Sequence, residues 1–538
     1  MKQGFHLTLL IFVIAFFYLA EGLNVGYYTK ADYLGPVSKF PTVFILLAAL
    51  IALVMTYAFK TATREPTTKC RALISLLPLV LLLLYMLFLP DAIEKYSLTN
   101  FKDAVSHMVR TEYVIQTGAA NPKIDPYFDL QPGVFYSMAA YILITDMPPD
   151  LILRWFPLFF VSLVYVPALI FLGKSFFKNP RDLAMFAFLV LIVNWPPSRY
   201  HYSAQTYSLV LFVIVMGLVT RDTLDRKRMA AAILVSAAII PIHQGVSLFL
   251  LAAFIGILLA KGIDRLAFHR EWAPGSLLQL TVIFSVIWIS YQAWLAAHTV
   301  GMYLSTIESV ITMILGEPLT QIVGHAIFRP DPMYQTLVYA KSFFTAAVFL
   351  LGSAVLAYMW LRRGTRKSRD LLATIVAVGT VAYILGFILG GAGYVERAVL
   401  MTSPFLGIGL TVVSRWIGKK KSLLPLAVML IVLTITGTVL FNSERNFQVV
   451  LFSEEACGMF FPPYSDLGNL PGGKPLWYDA NEVGRIPRGV FVVEPWTIIQ
   501  SSIWVPEDLL SNAITALDQR TDAQRFYSNG VCSMYWVS

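Results

Sequence analysis

The chain has 538 residues, 57% of them hydrophobic and only 14% charged, with a mean hydropathy of +0.67. That balance excludes a soluble globular domain and a disordered chain alike. The formal charge of +9 is spread as short basic connections between apolar runs, which excludes nucleic-acid binding as its purpose and points to membrane topology.

Runs of about 17–25 apolar residues are long enough to cross a bilayer. Thirteen apolar runs are present, several of them shorter than that: 5–22, 42–59, 72–90, 152–173, 183–197, 204–220, 229–242, 245–260, 277–295, 341–361, 371–390, 398–415 and 422–441. The first lacks a small-residue cleavage site, so it reads as a retained helix. The predicted fold is all-α and polytopic, with about 13 transmembrane helices and external juxtamembrane helices, followed by a small external α+β domain. Three regions are expected: an N-terminal hairpin over 1–60, a membrane domain over 61–441 and an extracytoplasmic domain over 442–538.

Lys2 and the connections 60–71, 174–182, 221–228, 261–271, 362–370 and 415–421 hold 24 of the 41 Lys and Arg but 7 of the 32 Asp and Glu. The positive-inside rule places them in the cytoplasm, with the N-terminus inside and the C-terminal domain outside an integral cell membrane protein. Segments 91–132 and 150 then both lie outside, so the apolar stretch 133–147 should not cross. It is framed by Pro132, Gly133, Pro148 and Pro149, and reads as a helix on the outer surface or one that dips and returns. A second large external loop covers 296–340, with an amphipathic stretch at 303–315 and a polar run at 325–331.

The last region alternates short β-rich runs, such as 489–495, with Pro and Gly turns. Asn529-Gly530 between 525–528 and 531–537 is a two-residue hairpin signal. Cys457 and Cys532 fall there, where a disulfide persists if it forms; spacing does not decide between a bond and two thiols. No Gly-rich phosphate loop, CxxC pair or His-Glu-x-x-His is present, so nucleotide and zinc chemistry have no sequence support.

Chemistry-bearing residues concentrate on the predicted outer face. In Asn100-Phe101-Lys102-Asp103-Ala104-Val105-Ser106-His107-Met108-Val109-Arg110 an acid, an imidazole and a guanidinium share helical spacing. Capping by Asn100, with Asp103 favouring the helix dipole, explains the same pattern without function. Four further external segments bear polar residues: 125–133 with Tyr127 and Asp129, 199–205 with Arg199, His201 and Gln205, 241–244 with His243, and 393–397 with Tyr394, Glu396 and Arg397. Polar residues kept at the ends of spanning helices are functional candidates, although each histidine singly reads as an interfacial hydrogen-bonder and Arg397 as a snorkelling side chain.

The run Asp103-x-x-x-His107, then Ile115-x-Thr117-Gly118, then Gln131-Pro132-Gly133 opening an aromatic-rich helix, resembles the first external loop of GT-C glycosyltransferases. The likeness is strongest to prokaryotic, especially archaeal, members related to protein mannosyltransferases and the aminoarabinose transferase. Tyr202-Ser203-Ala204-Gln205 resembles a Ser-Pro-Gln element with Ala204 in place of proline, 397–400 resembles a late-helix arginine motif, and 525–530 resembles a closing strand of related chains. The hairpin over 5–59 is an addition, and Leu130-Gln131-Pro132 stands where Tyr-Pro is usual.

The resemblance implies inverting transfer of a sugar from a polyprenyl-phosphate donor to an extracytoplasmic acceptor, which is a protein, a glycan or a lipid. Asp103 is the candidate base, with Asp91 and Glu94 as rivals. Arg397, then Arg199, are the candidates for the donor phosphate. His107 is expected to orient Asp103 or to touch acceptor or phosphate. Arg110, Tyr127, Asp129, His201, Gln205, His243, Tyr394 and Glu396 are candidates to line the site. No cofactor is certain; a divalent metal, if one is used, would be held by Asp103 and His107, and two ligands do not make a site. The expected partners are the lipid-linked donor, the acceptor and membrane lipid. Two other classes fit parts of the chain: a secondary transporter, which should show internal repeats, and a non-catalytic scaffold presenting its C-terminal domain.

Overall fold

The computed structural model describes residues 15, 40–61, 69–89, 102–121, 128, 132–193, 201–221, 224–269, 275–296, 332–388, 393–419, 423–449, 489–493, 519, 523–528 and 533–537. The run 5–22, apart from residue 15, and the stretches 303–315 and 325–331 lie outside them.

The described part is mostly helical. Its helices are α1 (Pro41–Thr61), α2 (Lys69–Leu83), α3 (Lys102–Thr117), α4 (Pro132–Thr145), α5 (Pro149–Phe160), α6 (Val166–Gly173), α7 (Pro180–Val193), α8 (Ala204–Val219), α9 (Arg226–Ile242), α10 (Gln244–Phe268), α11 (Gly275–Trp294), α12 (Pro332–Arg363), α13 (Arg366–Ile388), α14 (Gly393–Gly418) and α15 (Leu424–Val449). Helices occupy the predicted apolar runs from 42–59 onward, and several overrun them: α15 reaches Val449 and α12 begins at Pro332. Among the described residues, seven spans are long and apolar enough to cross a membrane, Trp155–Gly173 and Gln244–Ala267 among them. Apolar stretches such as Ala204–Val219 and Leu424–Leu440 are shorter.

Two wide turns interrupt the helices, at Leu84–Phe88 after α2 and at Val161–Tyr165 between α5 and α6. Pro157 and Pro167 flank the second, and a proline without its N–H loosens the ladder in which a wide turn forms. Pro404 also frees a carbonyl inside α14. That carbonyl, of Leu400, accepts the Ser403 hydroxyl at 2.9 Å, as a carbonyl beyond the reach of water requires.

The basic connections meet at one end of the bundle. The Arg181 guanidinium donates to the Phe59 carbonyl at 3.4 Å and lies 4.9 Å over the Phe59 ring. Asp182 pairs with Arg181 at 3.2 Å and with Arg415 at 3.6 Å, and Lys367 donates to the Ser175 carbonyl at 3.1 Å. Buried Arg369 bridges Asp264 and Asp370, and the indole N–H of Trp360 donates to Asp264 at 2.8 Å. The two carboxylates take the guanidinium's N–H bonds and the indole serves the second oxygen of Asp264, so the buried charges are paired and hydrogen-bonded.

Helix directions follow from these anchors. Arg415 lies by Asp182 and Gly407 abuts Val190, so α7 and α14 run antiparallel. Gly217 abuts Phe171 and Leu172, which puts the end of α8 at the basic end and makes α8 parallel to α14. The two-residue turn at Gly364 (φ +63°) and Thr365 folds α13 back on α12, and α14 folds back on α13, so α12 and α14 are also parallel. The opposite end therefore collects the starts of α8, α10, α12 and α14 and the end of α9.

Beyond the bundle, β1 (Gly489–Val493), β2 (Ala523–Ser528) and β3 (Ser533–Val537) form an antiparallel sheet in the order β1-β3-β2. Its last pair among the described residues of β2 and β3 is Ser528↔Ser533, and the Asn529-Gly530 signal lies outside the described residues.

Candidate functional site

The end of the bundle away from the basic connections is built on α3 and α4. On α3, Ala104, His107, Met108, Thr111 and Val114 are buried at helical spacing. They face Val134, Phe135 and Met138 of α4. Gly118 (φ +73°) ends α3, its N–H bonded to the Val114 carbonyl at 2.8 Å, the left-handed cap that favours glycine. The Tyr136 hydroxyl then accepts the Ala120 N–H at 2.9 Å, tying α4 to the exit of α3. Phe128 lies between Tyr113 (5.3 Å) and Phe135 (5.5 Å).

Tyr202 is the hub. Its ring is fully buried and stands 6.2 Å from the His107 ring, edge on; Phe135 is 5.7 Å from His107 on another side. Its hydroxyl lies 2.7 Å from the Thr111 hydroxyl and 3.3 Å from the Val134 carbonyl, and Thr111 reaches the His107 carbonyl at 3.0 Å. Each hydroxyl has one proton, so the pair forms a single chain of donors running either toward His107 or toward Val134. Burial holds the Tyr202 phenol well above its ordinary range, which leaves it a neutral hydrogen-bonder.

Behind Tyr202 the chain turns into α8. Ser203 is the N-cap, accepting the Thr206 N–H at 3.3 Å, and the Thr206 hydroxyl donates to the His201 carbonyl at 2.7 Å. Ala204 is therefore the first helical residue, the position where proline is tolerated. His201 and Gln205 are buried.

His243 separates α9 from α10. It caps α10 with Nδ1 accepting the Val246 N–H at 3.3 Å. Ser247, one turn on, accepts the Trp288 indole N–H at 2.9 Å. This corner touches α4 directly: a Cβ on Gly133 would lie 3.1 Å from the Pro241 carbonyl oxygen and 3.2 Å from Ile242.

His107, His201, Gln205 and His243 are thus gathered around α3, α4 and the starts of α8 and α10. Arg110 is half-buried on α3. Asp103 falls in the first turn of α3, one turn before His107, where a carboxylate favours the helix dipole. Arg397 is half-buried in the second turn of α14. Tyr394 and Glu396 are placed on the α14 backbone. The side chains of Asp103, Tyr394 and Glu396, and all of Asp91, Glu94, Asn100, Tyr127, Asp129 and Arg199, lie outside the described residues. Among the described residues no three His, Cys, Asp or Glu side chains stand together as a metal site.

Sequence reading placed Tyr202 and Gln244 within the segments 202–205 and 241–244 without a role of their own, and passed over Thr111 and Glu112. Burial raises the Glu112 carboxyl above its ordinary range. A Thr four residues after His107 is a signal for the same helix face; nothing in the sequence marks Tyr202 as the joint.

No protein-family model matches the chain, and no curated protein matches it. Among solved structures it is similar to the Archaeoglobus fulgidus oligosaccharyltransferase in the apo form, at 14% identity over 70% of this chain and 56% of that one, with a TM-score of 0.44. It is similar also to the archaeal oligosaccharyltransferase AglB from Archaeoglobus fulgidus in complex with an inhibitory peptide and a dolichol-phosphate, at 12% identity over 76% and 56%, TM-score 0.42. A third is the Archaeoglobus fulgidus enzyme in complex with Zn and sulfate, at 15% identity over 69% and 53%, TM-score 0.43. The chain spans just over half the length of these structures.

Proposed function

We propose that the chain is a glycosyltransferase that moves a sugar from a polyprenyl-phosphate donor to an acceptor hydroxyl at the outer membrane face. The observation that carries this reading is the gathering of His107, His201, Gln205 and His243 at the end of the bundle opposite the basic connections, around the α3–α4 pair on which the Asp103-x-x-x-His107 and Gln131-Pro132-Gly133 motifs fall.

In this mechanism Asp103 accepts the proton of the acceptor hydroxyl as its oxygen bonds to the anomeric carbon. The bond from that carbon to the phosphate oxygen breaks, and its electron pair leaves with the lipid phosphate. Arg397 neutralises the charge that develops there. A single displacement inverts the anomeric centre. His107, among aromatic rings one turn from Asp103, keeps the base oriented. Asp91 and Glu94 are the alternative bases.

The test is transfer of radiolabelled sugar from a polyprenyl-phosphate donor by the full chain in membranes, with Asp103→Asn alongside. Loss of about 10²–10⁴ in rate with normal expression supports the reading. Full activity in that variant moves the base to Asp91 or Glu94. Absence of transfer from any lipid-phosphate sugar overturns the function.

A further inference from the structure

At the basic end of the bundle the ends of α1, α7, α14 and α15 meet at Phe59. The Arg181 guanidinium of α7 lies 4.9 Å over its ring. A Cβ on Gly418, the last residue of α14, would lie 3.0 Å from the same ring and 3.5 Å from Leu426 of α15.

Asp182 takes two cations at this point. Arg181 lies 3.2 Å from one of its oxygens and Arg415 lies 3.6 Å from the other. One carboxylate balances one guanidinium, so a positive charge is left over. The accessible part of it is on Arg415, which is 41% exposed, whereas Arg181 is 16% exposed and also donates to the Phe59 carbonyl. Lys419 adds to the excess. It stands one turn on from Arg415, its N–H bonded to the Arg415 carbonyl at 3.2 Å, and it is exposed. The two basic residues therefore share one side of the end of α14.

This charge borders lipid-facing surface. On α1, Leu46, Leu53, Tyr57 and Lys60 fall on one face at helical spacing, and Leu46 and Leu53 are exposed. On α15, which packs on α1, Leu424, Val428 and Val432 are exposed one turn apart. Exposed leucine and valine on an apolar span such as Pro41–Lys60 face acyl chains. Aromatic rings mark where the hydrocarbon ends: Tyr57 lies one turn before Lys60, and Tyr358 of α12 stands edge on to Trp416, next in the chain to Arg415, at 5.7 Å. An open guanidinium edge at that level matches the oxygens of a phosphodiester.

We infer that the foot of α1, α14 and α15 is a binding site for the headgroup of an anionic phospholipid. Arg415 and Lys419 bind its phosphodiester, Asp182 holds Arg415 in place, and its acyl chains lie along the exposed stripes of α1 and α15. The site is at the far end from His107 and takes no part in the proposed transfer.

The experiment is native mass spectrometry of the full chain, delipidated in detergent and titrated with dioctanoyl phosphatidylglycerol, with dioctanoyl phosphatidylcholine as the zwitterionic control. The wild type should bind the first at least about tenfold more tightly. Arg415→Gln combined with Lys419→Gln should lose about tenfold of that preference. Arg226→Gln combined with Lys227→Gln removes two exposed charges from α9, which packs on α8, α10 and α11, and should bind as the wild type does. Arg181 still pairs Asp182 in the first double variant. Equal affinity of the wild type for the two lipids overturns the site, as do equal losses in the two double variants, which would mean diffuse attraction. Displacement of the phosphatidylglycerol by inorganic phosphate at matched concentration overturns the lipid as occupant. Should the Arg415→Gln, Lys419→Gln protein fail to fold, Lys419→Gln decides alone: a loss of about threefold or more supports the site, and wild-type affinity overturns it.

Discussion

The hydroxyls of Thr111 and Tyr202 lie 2.7 Å apart although 91 residues separate them in the chain. This bond fastens the helix that carries Asp103 and His107 to the turn that starts α8. Tyr202→Phe should therefore lower stability by about 1–3 kcal/mol, because it leaves a buried threonine hydroxyl with fewer partners. The measurement is thermal unfolding in detergent. A double-mutant cycle with Thr111→Val should show the two losses to be less than additive, and strict additivity would mean that the bond is absent in solution.

Gly133 packs against Pro241 and Ile242 so closely that a Cβ would lie 3.1–3.2 Å from them, tighter than an ordinary contact. Gly133→Ala should force α4 off the α9–α10 corner at a cost of about 1–3 kcal/mol. Sugar transfer should fall with it, because His243 stands on that corner. Unchanged melting temperature and unchanged transfer together would mean the corner gives way freely.

Removing Arg369 leaves Asp264 and Asp370 buried beside each other. Arg369→Met should destabilise by about 3–5 kcal/mol, read as lost yield of folded protein. Because this cluster lies at the far end from His107, any protein that does fold should retain its KM for donor.

Arg397→Ala should raise the donor KM or lower kcat by about tenfold or more while sparing acceptor affinity. Donor kinetics equal to wild type would assign Arg397 to snorkelling alone.

Glu112 gives a pH signature. Its carboxyl is raised above 4.5 by burial. The folded state thus binds a proton more tightly than the unfolded one, so its contribution is fully present below about 4.5 and declines as pH rises through the folded-state value. Glu112→Gln should consequently melt higher than wild type at neutral pH and show a flatter fall in stability above pH 4.5. An unaltered pH profile would place Glu112 in water.

The helices were legible because apolar runs bounded by Lys and Arg leave little choice in a bilayer. The basic connections meet at one end through Arg181, Asp182, Lys367 and Arg415, in keeping with the charge pattern that grouped them. Long-range joints were not legible. Tyr202 opens the 202–205 motif with no role assigned to it, and its partner Thr111 reads as an ordinary helix residue. The reach of α15 to Val449 was missed because the residues that extend it, such as Asn442 and Glu444, are polar. Residue chemistry announces what can react, whereas the meeting of distant residues depends on helix register, which no short motif encodes.

The cap at His243 has a consequence for whatever enters beside it. A ring nitrogen that accepts a backbone N–H has its lone pair committed and carries no hydrogen. The neutral imidazole must then hold its hydrogen on Nε2. Helix geometry has thereby fixed one tautomer, in which the second nitrogen of this ring gives a hydrogen bond and does not accept one.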